Sequence, residues 1–166
     1  VFSLHGAQAH THDKLTQVEG SFKMTVAAMR LAIESKVPVE VHVVPTALNF
    51  AEIGDIAKLL DSMQVRKVSW LRLVPQGRAQ ENWAVLRMER RQVVELARIK
   101  AELKEVCQYV AIRTGAPFNI LCTQPAVSCK AGMSVMTVLP DGTAVPCDAF
   151  KQFTTGNGFG NVRRHP

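Results

Sequence analysis

Short runs in which apolar and polar residues alternate are interleaved along this chain with longer runs of helical period. That interleaving constrains the fold more than any single motif. Val1–Leu4 reads as the end of a strand and Val39–Val44 as a complete one. Lys67–Val74 is a third, closed by Pro75-Gln76-Gly77, and Tyr109–Arg113 a fourth. Between them, Phe22, Val26, Met29 and Ile33 recur at helical spacing and predict a helix over Ser21–Ser35. Asn49 followed by Glu52 has the spacing of a capping box, with Asn in place of Ser or Thr. It opens a predicted helix to Met63 that carries Ile53, Ile56, Leu59 and Leu60. A third helix is predicted over Arg90–Val106, with Val93, Leu96, Ala97, Ile99 and Leu103 toward one side. Strands alternating with helices in this way build right-handed βαβ units on a parallel sheet. The expected fold is therefore α/β on a parallel sheet. Periodicity alone suits half of a barrel and part of an open sheet equally.

Alternation within each strand predicts a polar and an apolar face. Ser3 and His5 share one side, Phe2 and Leu4 the other; Glu40 and His42 lie opposite Val39, Val41 and Val43. On the third strand the same rule pairs Trp70 with Arg72, opposite Leu71 and Leu73.

At 166 residues with 47% hydrophobic content, the chain can bury a core as one domain or slightly more. No apolar run reaches the roughly 18 residues needed to span a bilayer, so no membrane partner is expected. The chain opens on Val1 inside an element and ends without an obvious cap, so it is expected to be part of a longer protein. The net charge of +6 is scattered: Arg87, Arg90, Arg91, Arg98, Lys100 and Lys104 interleave with Glu89, Glu95, Glu102 and Glu105 on one predicted helix. That mixture describes a solvated face. With one Tyr, two Trp and no basic–aromatic interleaving, nucleic acid is not the expected partner. Four cysteines without a secretory signal argue for a reducing cytoplasm and thiolate chemistry.

Three of those cysteines lie between positions 122 and 147. Met133–Leu139 and Thr143–Pro146 read as the arms of a β-hairpin about Pro140-Asp141-Gly142, where Pro fixes φ and Gly permits φ > 0. Pairing about that turn sets Cys147 opposite Val135 or Met136, so Cys129 meets it only if Lys130-Ala131-Gly132 curls back over the open end, which Gly132 permits. Cys122 approaches through a Thr-Gln-Pro loop. Thiolates gathered by loops suit a soft metal; a zinc ribbon, a disulfide and buried free thiols are the alternatives. His10-x-His12 with Asp13 lacks a neighbouring cysteine, and Asp13 more simply stabilises a turn. Cys107, ending a mixed-charge helix, reads as a small buried hydrophobe.

The pattern Cys129-x12-Gly142-x4-Cys147 resembles the first half of the SPASM motif of radical S-adenosylmethionine (SAM) enzymes. The neighbouring words agree: Cys-x-Ala-Gly, Leu139-Pro140-Asp141-Gly142, Pro146-Cys147-x-Ala149-Phe150-Lys151 and Gly160-Asn161-Val162. Phe2-Ser3-Leu4-His5-Gly6, His12-Asp13, Gly20-Ser21-Phe22, Thr46-x-x-Asn49 and Arg72-x-x-Pro75-x-Gly77-Arg78-Ala79 are similar to strands and loops of the same family's partial barrel. The resemblance implies that residues 1–115 are the second half of a partial (β/α)6 barrel, with strand order following chain order and the three helices on one face. It implies that residues 116–166 begin a small cysteine-bearing hairpin domain whose Cys122, Cys129 and Cys147 ligate an auxiliary [4Fe–4S] cluster. In such a barrel the polar face lines the interior, where Ser3 would hydrogen-bond the ribose or amino-acid part of SAM and Arg72 would hold its carboxylate bidentately.

The implied activity is hydrogen abstraction by a 5′-deoxyadenosyl radical, in peptide or protein modification or cofactor maturation. The implied partners are a peptide, protein or small-molecule substrate and an electron donor such as flavodoxin or ferredoxin. The Cys-x3-Cys-x2-Cys loop for the SAM-cleaving cluster is not in this chain, where 14, 6 and 17 residues separate successive cysteines. These 166 residues alone are therefore expected to be inactive. The chain also departs from many peptide-modifying members in carrying His5 where they carry Asp. The alternative from another class is a non-catalytic zinc-binding β/α module for protein contacts.

Overall fold

A computed structural model describes residues 1–114, 118, 129–151 and 160–164; Cys122 and its loop lie outside the described residues. The chain forms two compact units, Val1–Leu73 with Asn82–Val127, and Val74–Glu81 with Ser128–Pro166.

The first unit is built on four parallel strands, β1 (Phe2–Ser3), β2 (Glu40–Val43), β3 (Lys67–Trp70) and β4 (Ala111–Thr114), arranged in chain order. Between them run α1 (Ala9–Thr16), α2 (Ser21–Glu34), α3 (Ile53–Ser62), the short α5 (Trp83–Leu86) and α6 (Arg90–Val106); α4 (Arg78–Glu81) belongs to the second unit. The registers place Val41 beside Val68 and Val43 beside Trp70. Together with Leu4 these residues form the sheet's side of a single core, facing Val26 and Met29 of α2, Ile53, Ile56 and Leu60 of α3, and Leu96 and Leu103 of α6. Burial of each aliphatic side chain of this kind contributes roughly 1.5–3 kcal/mol. All three long helices thus cover one face of the sheet. Arg98 of α6 pairs with Glu95 and Glu102 on the exposed side, in keeping with a solvated mixed-charge face. Among the described residues no helix is long and apolar enough to cross a membrane.

Three local expectations change. The strand after residue 66 stops at Trp70 rather than Val74, and Trp70, 2% exposed, lies in the core with Val68. Trp70 is therefore on the apolar side and Leu71 is exposed, so strand alternation does not carry Arg72 onto the polar face. Second, the turn after Asn49 is a 3-10 helix over Phe50–Glu52 that runs into α3, and Asn49 makes no side-chain cap. Third, α1 has no counterpart in the sequence reading, and its two buried residues are Thr11 and His12.

The second unit holds an antiparallel pair, β5 (Thr137–Val138) and β6 (Ala144–Val145), followed by a 3-10 turn at Asp148–Phe150. The paired arms are shorter than the predicted runs because Met133 and Ser134 turn back onto Lys130 instead of extending the ladder.

Candidate functional site

The face of the sheet turned away from the helices is polar along one row. Ser3, His42, Ser69 and Arg113 are successive partners across β1 to β4. Glu40 joins them: Ser69 Oγ donates to its Oε1 at 3.1 Å, and His42 Nε2 lies 3.5 Å away. The Ser69 hydroxyl first, then His42 and Arg113, hold the Glu40 carboxyl below its ordinary range. Ser3 and Glu40 are thus on the polar side, as alternation predicts. Arg72, in the loop beyond β3, is exposed and has no ion pair among the described residues.

The C-terminal ends of β1 and β2 are tied by buried polar groups. Asn49 is 0% exposed and uses every hydrogen-bonding position of its amide. Nδ2 donates to the carbonyls of His5 (3.0 Å) and Val44 (3.1 Å). Oδ1 accepts from Thr46 N (2.7 Å) and Thr46 Oγ1 (3.1 Å). A buried amide satisfied on all sides fixes loop geometry because each lost partner leaves a desolvated group behind. Glu52 likewise leaves the capping role and accepts from Ala7 N (2.8 Å), Gln8 N (3.2 Å) and the Thr11 hydroxyl.

His5 and His12 stack with ring centroids 5.9 Å apart, and His5 N donates to His12 Nδ1 at 3.0 Å. Burial, reinforced by His12, lowers the His5 pKa to about 4, so the ring is neutral at neutral pH. Burial also lowers that of His12, with Asp13 opposing. Asp13 accepts from Gly20 N (2.7 Å), Ser21 Oγ (2.9 Å) and Phe22 N (2.8 Å) at the start of α2. It supplies the cap that Gly20, with no side chain, cannot. The turn-stabilising role expected of Asp13 is thus a helix cap. Among the described residues no three His, Cys, Asp or Glu side chains are placed to hold a metal ion.

In the second unit the Pro140-Asp141-Gly142 turn forms as expected, with Gly142 at φ 89° and its N–H bonded to Leu139 O at 2.8 Å. Asp141 Oδ1 accepts from Thr143 N at 2.9 Å. The β5–β6 ladder ends at Thr137 and Val145, short of Cys147, and Val135 bridges Ala131 instead. Gly132, at φ 68°, shares its N–H between Val135 O at 3.1 Å and Pro146 O at 3.2 Å. Cys129 and Cys147 therefore flank a hydrogen-bonded loop, and both thiols are free, Cys129 exposed and Cys147 half-buried. Gln76 donates to Asp148 O at 2.9 Å, one residue beyond Cys147. Cys107 is half-buried at the end of α6, packs on the core, and burial raises its thiol pKa.

Over 165 residues, 98% of its length, the chain is 24% identical to PqqA peptide cyclase of Rhizobium meliloti (strain 1021). The chain's fold is similar to that of Streptococcus suis SuiB in crystals with bound S-adenosylmethionine, with a TM-score of 0.72 and 13% identity over 98% of this chain. It is also similar to SuiB bound to its precursor peptide SuiA, with a TM-score of 0.68 and 12% identity over 96%. No family profile matches the chain. The chain spans less than half of these proteins: 44% of the cyclase and 39% and 38% of the two SuiB chains.

Of the residues the sequence singles out, the structure sets Ser3 on the polar row, Arg72 in an exposed loop, and Cys129 and Cys147 beside one hairpin end; Cys122 lies outside the described residues. The sequence reading missed Ser69 and Arg113 on the polar row and the clamp made by Asn49 and Glu52. Asn49-x-x-Glu52 did flag the last two residues, but with local rather than long-range partners.

Proposed function

We propose that this chain carries part of a radical SAM enzyme that modifies a peptide substrate. Residues 1–115 form the second half of its partial (β/α)6 barrel and residues 116–166 begin its auxiliary-cluster domain. Radical SAM chemistry supplies a 5′-deoxyadenosyl radical for hydrogen abstraction, and an auxiliary [4Fe–4S] cluster supplies one-electron chemistry or substrate positioning. The observation that supports the proposal is the hydrogen bond from Gly132, three residues after Cys129, to the carbonyl of Pro146, the residue before Cys147.

The donors suit such a group. Two unbridged thiols are soft ligands, and Cys122 is assigned as a third. Lys130 beside Cys129 is exposed and supplies positive charge next to a thiolate-rich centre. On the polar face, Ser3 offers a hydroxyl at the edge strand β1, next to His42. Arg72 offers a guanidinium beyond β3 that is without an ion pair among the described residues and suited to a carboxylate. We assign Ser3 and Arg72 to SAM. Cleavage of SAM is assigned to a cluster ligated outside these 166 residues, because no Cys-x3-Cys-x2-Cys occurs among them.

Anaerobic reconstitution with iron and sulfide tests the cysteines. The protein turns brown and takes up iron. Cys129→Ala and Cys147→Ala abolish uptake at the auxiliary site, Cys122→Ala reduces it, and Cys107→Ala leaves it unchanged. A colourless protein that takes up zinc in preference, or a requirement for Cys107, would refute the assignment.

A further inference from the structure

We infer that Asn161 and Arg163 are positioning residues for the auxiliary metal centre, acting by latching the hairpin turn that delivers Cys147. The inference rests on the cluster assignment for Cys129 and Cys147.

The latch answers a physical weakness. A hairpin with only two paired residues in each arm is marginal by itself, and a third strand is what ordinarily makes such a unit stable. Gly160–Val162 supplies a single bridge in that position, after which the chain turns at Val162–Arg164. Thr143 bridges Asn161 in antiparallel fashion. Ala144 N donates to Gly160 O at 2.9 Å, and Val162 N donates to Gly142 O at 2.9 Å. Backbone pairing of this sort accepts many sequences, so side chains must set the register. Asn161 Nδ2 donates to Asp141 O (3.2 Å) while its Oδ1 accepts from Arg163 N (3.0 Å). Arg163 Nη2 donates to Pro140 O (2.9 Å). Two side chains thus grip successive carbonyls of the Pro140–Gly142 turn.

The turn is shaped to receive them. A Cβ at Gly142 would lie 2.8 Å from Arg163 Cγ and 2.9 Å from Asn161 Oδ1, so the absence of a side chain there opens the seat. From this gripped turn β6 runs directly to Pro146, whose carbonyl holds Gly132, and then to Cys147. A slip by one residue in β6 would turn Cys147 to the opposite face of the hairpin. The words Leu139-Pro140-Asp141-Gly142 and Gly160-Asn161-Val162, far apart in sequence, are therefore two halves of one device.

The test compares Asn161→Ala, Asn161→Asp and Arg163→Ala with the parent protein after anaerobic reconstitution. The readouts are iron loss to EDTA and the EPR spectrum of the reduced auxiliary cluster. Supporting groups around a metal site typically change its affinity 10–100-fold. Asn161→Ala is expected to lose auxiliary iron about tenfold faster, with an altered EPR line shape. Asn161→Asp keeps the acceptor but not the donor and falls between Ala and parent, and so does Arg163→Ala. If Asn161→Ala also reduces folded yield, the Asp and Arg163 variants carry the comparison. Parent-like iron loss and EPR spectra in all three variants would overturn the latch while leaving the cluster assignment intact. A parent protein that takes up no iron at Cys129 and Cys147 would overturn both.

Discussion

His5 makes the stability of this fold sensitive to mild acid, by an amount that follows from its surroundings. Its pKa falls from 6.5 to about 4 because burial and the neighbouring His12 penalise the imidazolium. Between those values the unfolded chain binds more protons than the folded one, so stability rises with pH. The contribution is fully present above the unfolded pKa and is lost as pH falls through that value toward 4. The complete shift corresponds to about 3 kcal/mol at 1.36 kcal/mol per pH unit. The part lost between pH 7 and pH 5 is about 2 kcal/mol. That window lies above the titration of the carboxylates. Asp13, held low chiefly by the Phe22 N–H, with Ser21 and Gly20, adds its own acid lability only nearer its ordinary pKa and below. His12 acts in the same direction as His5 and stays in place when His5 is replaced. Urea unfolding followed by tryptophan fluorescence, with Trp70 buried in the core, reads the effect. The parent should lose stability from pH 7 to pH 5, and His5→Gln should lose about 2 kcal/mol less over the same interval. Equal losses in both proteins would refute the assignment of a half-buried, neutral His5.

The Asn49 clamp predicts that Asn49→Ala destabilises by about 3 kcal/mol, about 1 kcal/mol for each of three backbone groups left without a partner. Asn49→Asp, which keeps shape but cannot donate to the His5 and Val44 carbonyls at neutral pH, should cost at least as much; a neutral result in urea unfolding would show that water replaces the amide. Arg72→Ala should weaken SAM binding by calorimetry about 10–100-fold, the range for losing a charge-assisted hydrogen bond, and Ser3→Ala less. Unchanged affinity in both would return these residues to the solvated surface.

What was legible in the sequence and what was not divides along the range of the interactions. Ser21–Glu34 and Arg90–Val106 follow from apolar residues spaced three and four apart, because one face of each helix is buried against a sheet. The parallel order follows from strands alternating with those helices. Helix α1 gives no such stripe: its buried residues are Thr11 and His12, held by Glu52 and His5 from elsewhere in the chain. Trp70 was set on the wrong side because Lys67–Val74 reads as one alternating run, whereas pairing with β2 places Val68 and Trp70 against the helices.

The same distinction explains why the cysteine end was easier to read than the polar face. The turns at Gly132 and Gly142 are local, and each glycine has the positive φ that its position in the loop requires. The row Ser3, His42, Ser69, Arg113 is made by the register of four strands, and no stretch of sequence contains it. Short-range chemistry thus shapes the loops next to Cys129 and Cys147, while long-range pairing decides which polar groups face one another. The latch at Asn161 joins the two kinds of information. Its word was visible beside the cysteine motif, but its purpose depends on the Asp141 carbonyl twenty positions earlier, which only the folded hairpin brings within reach.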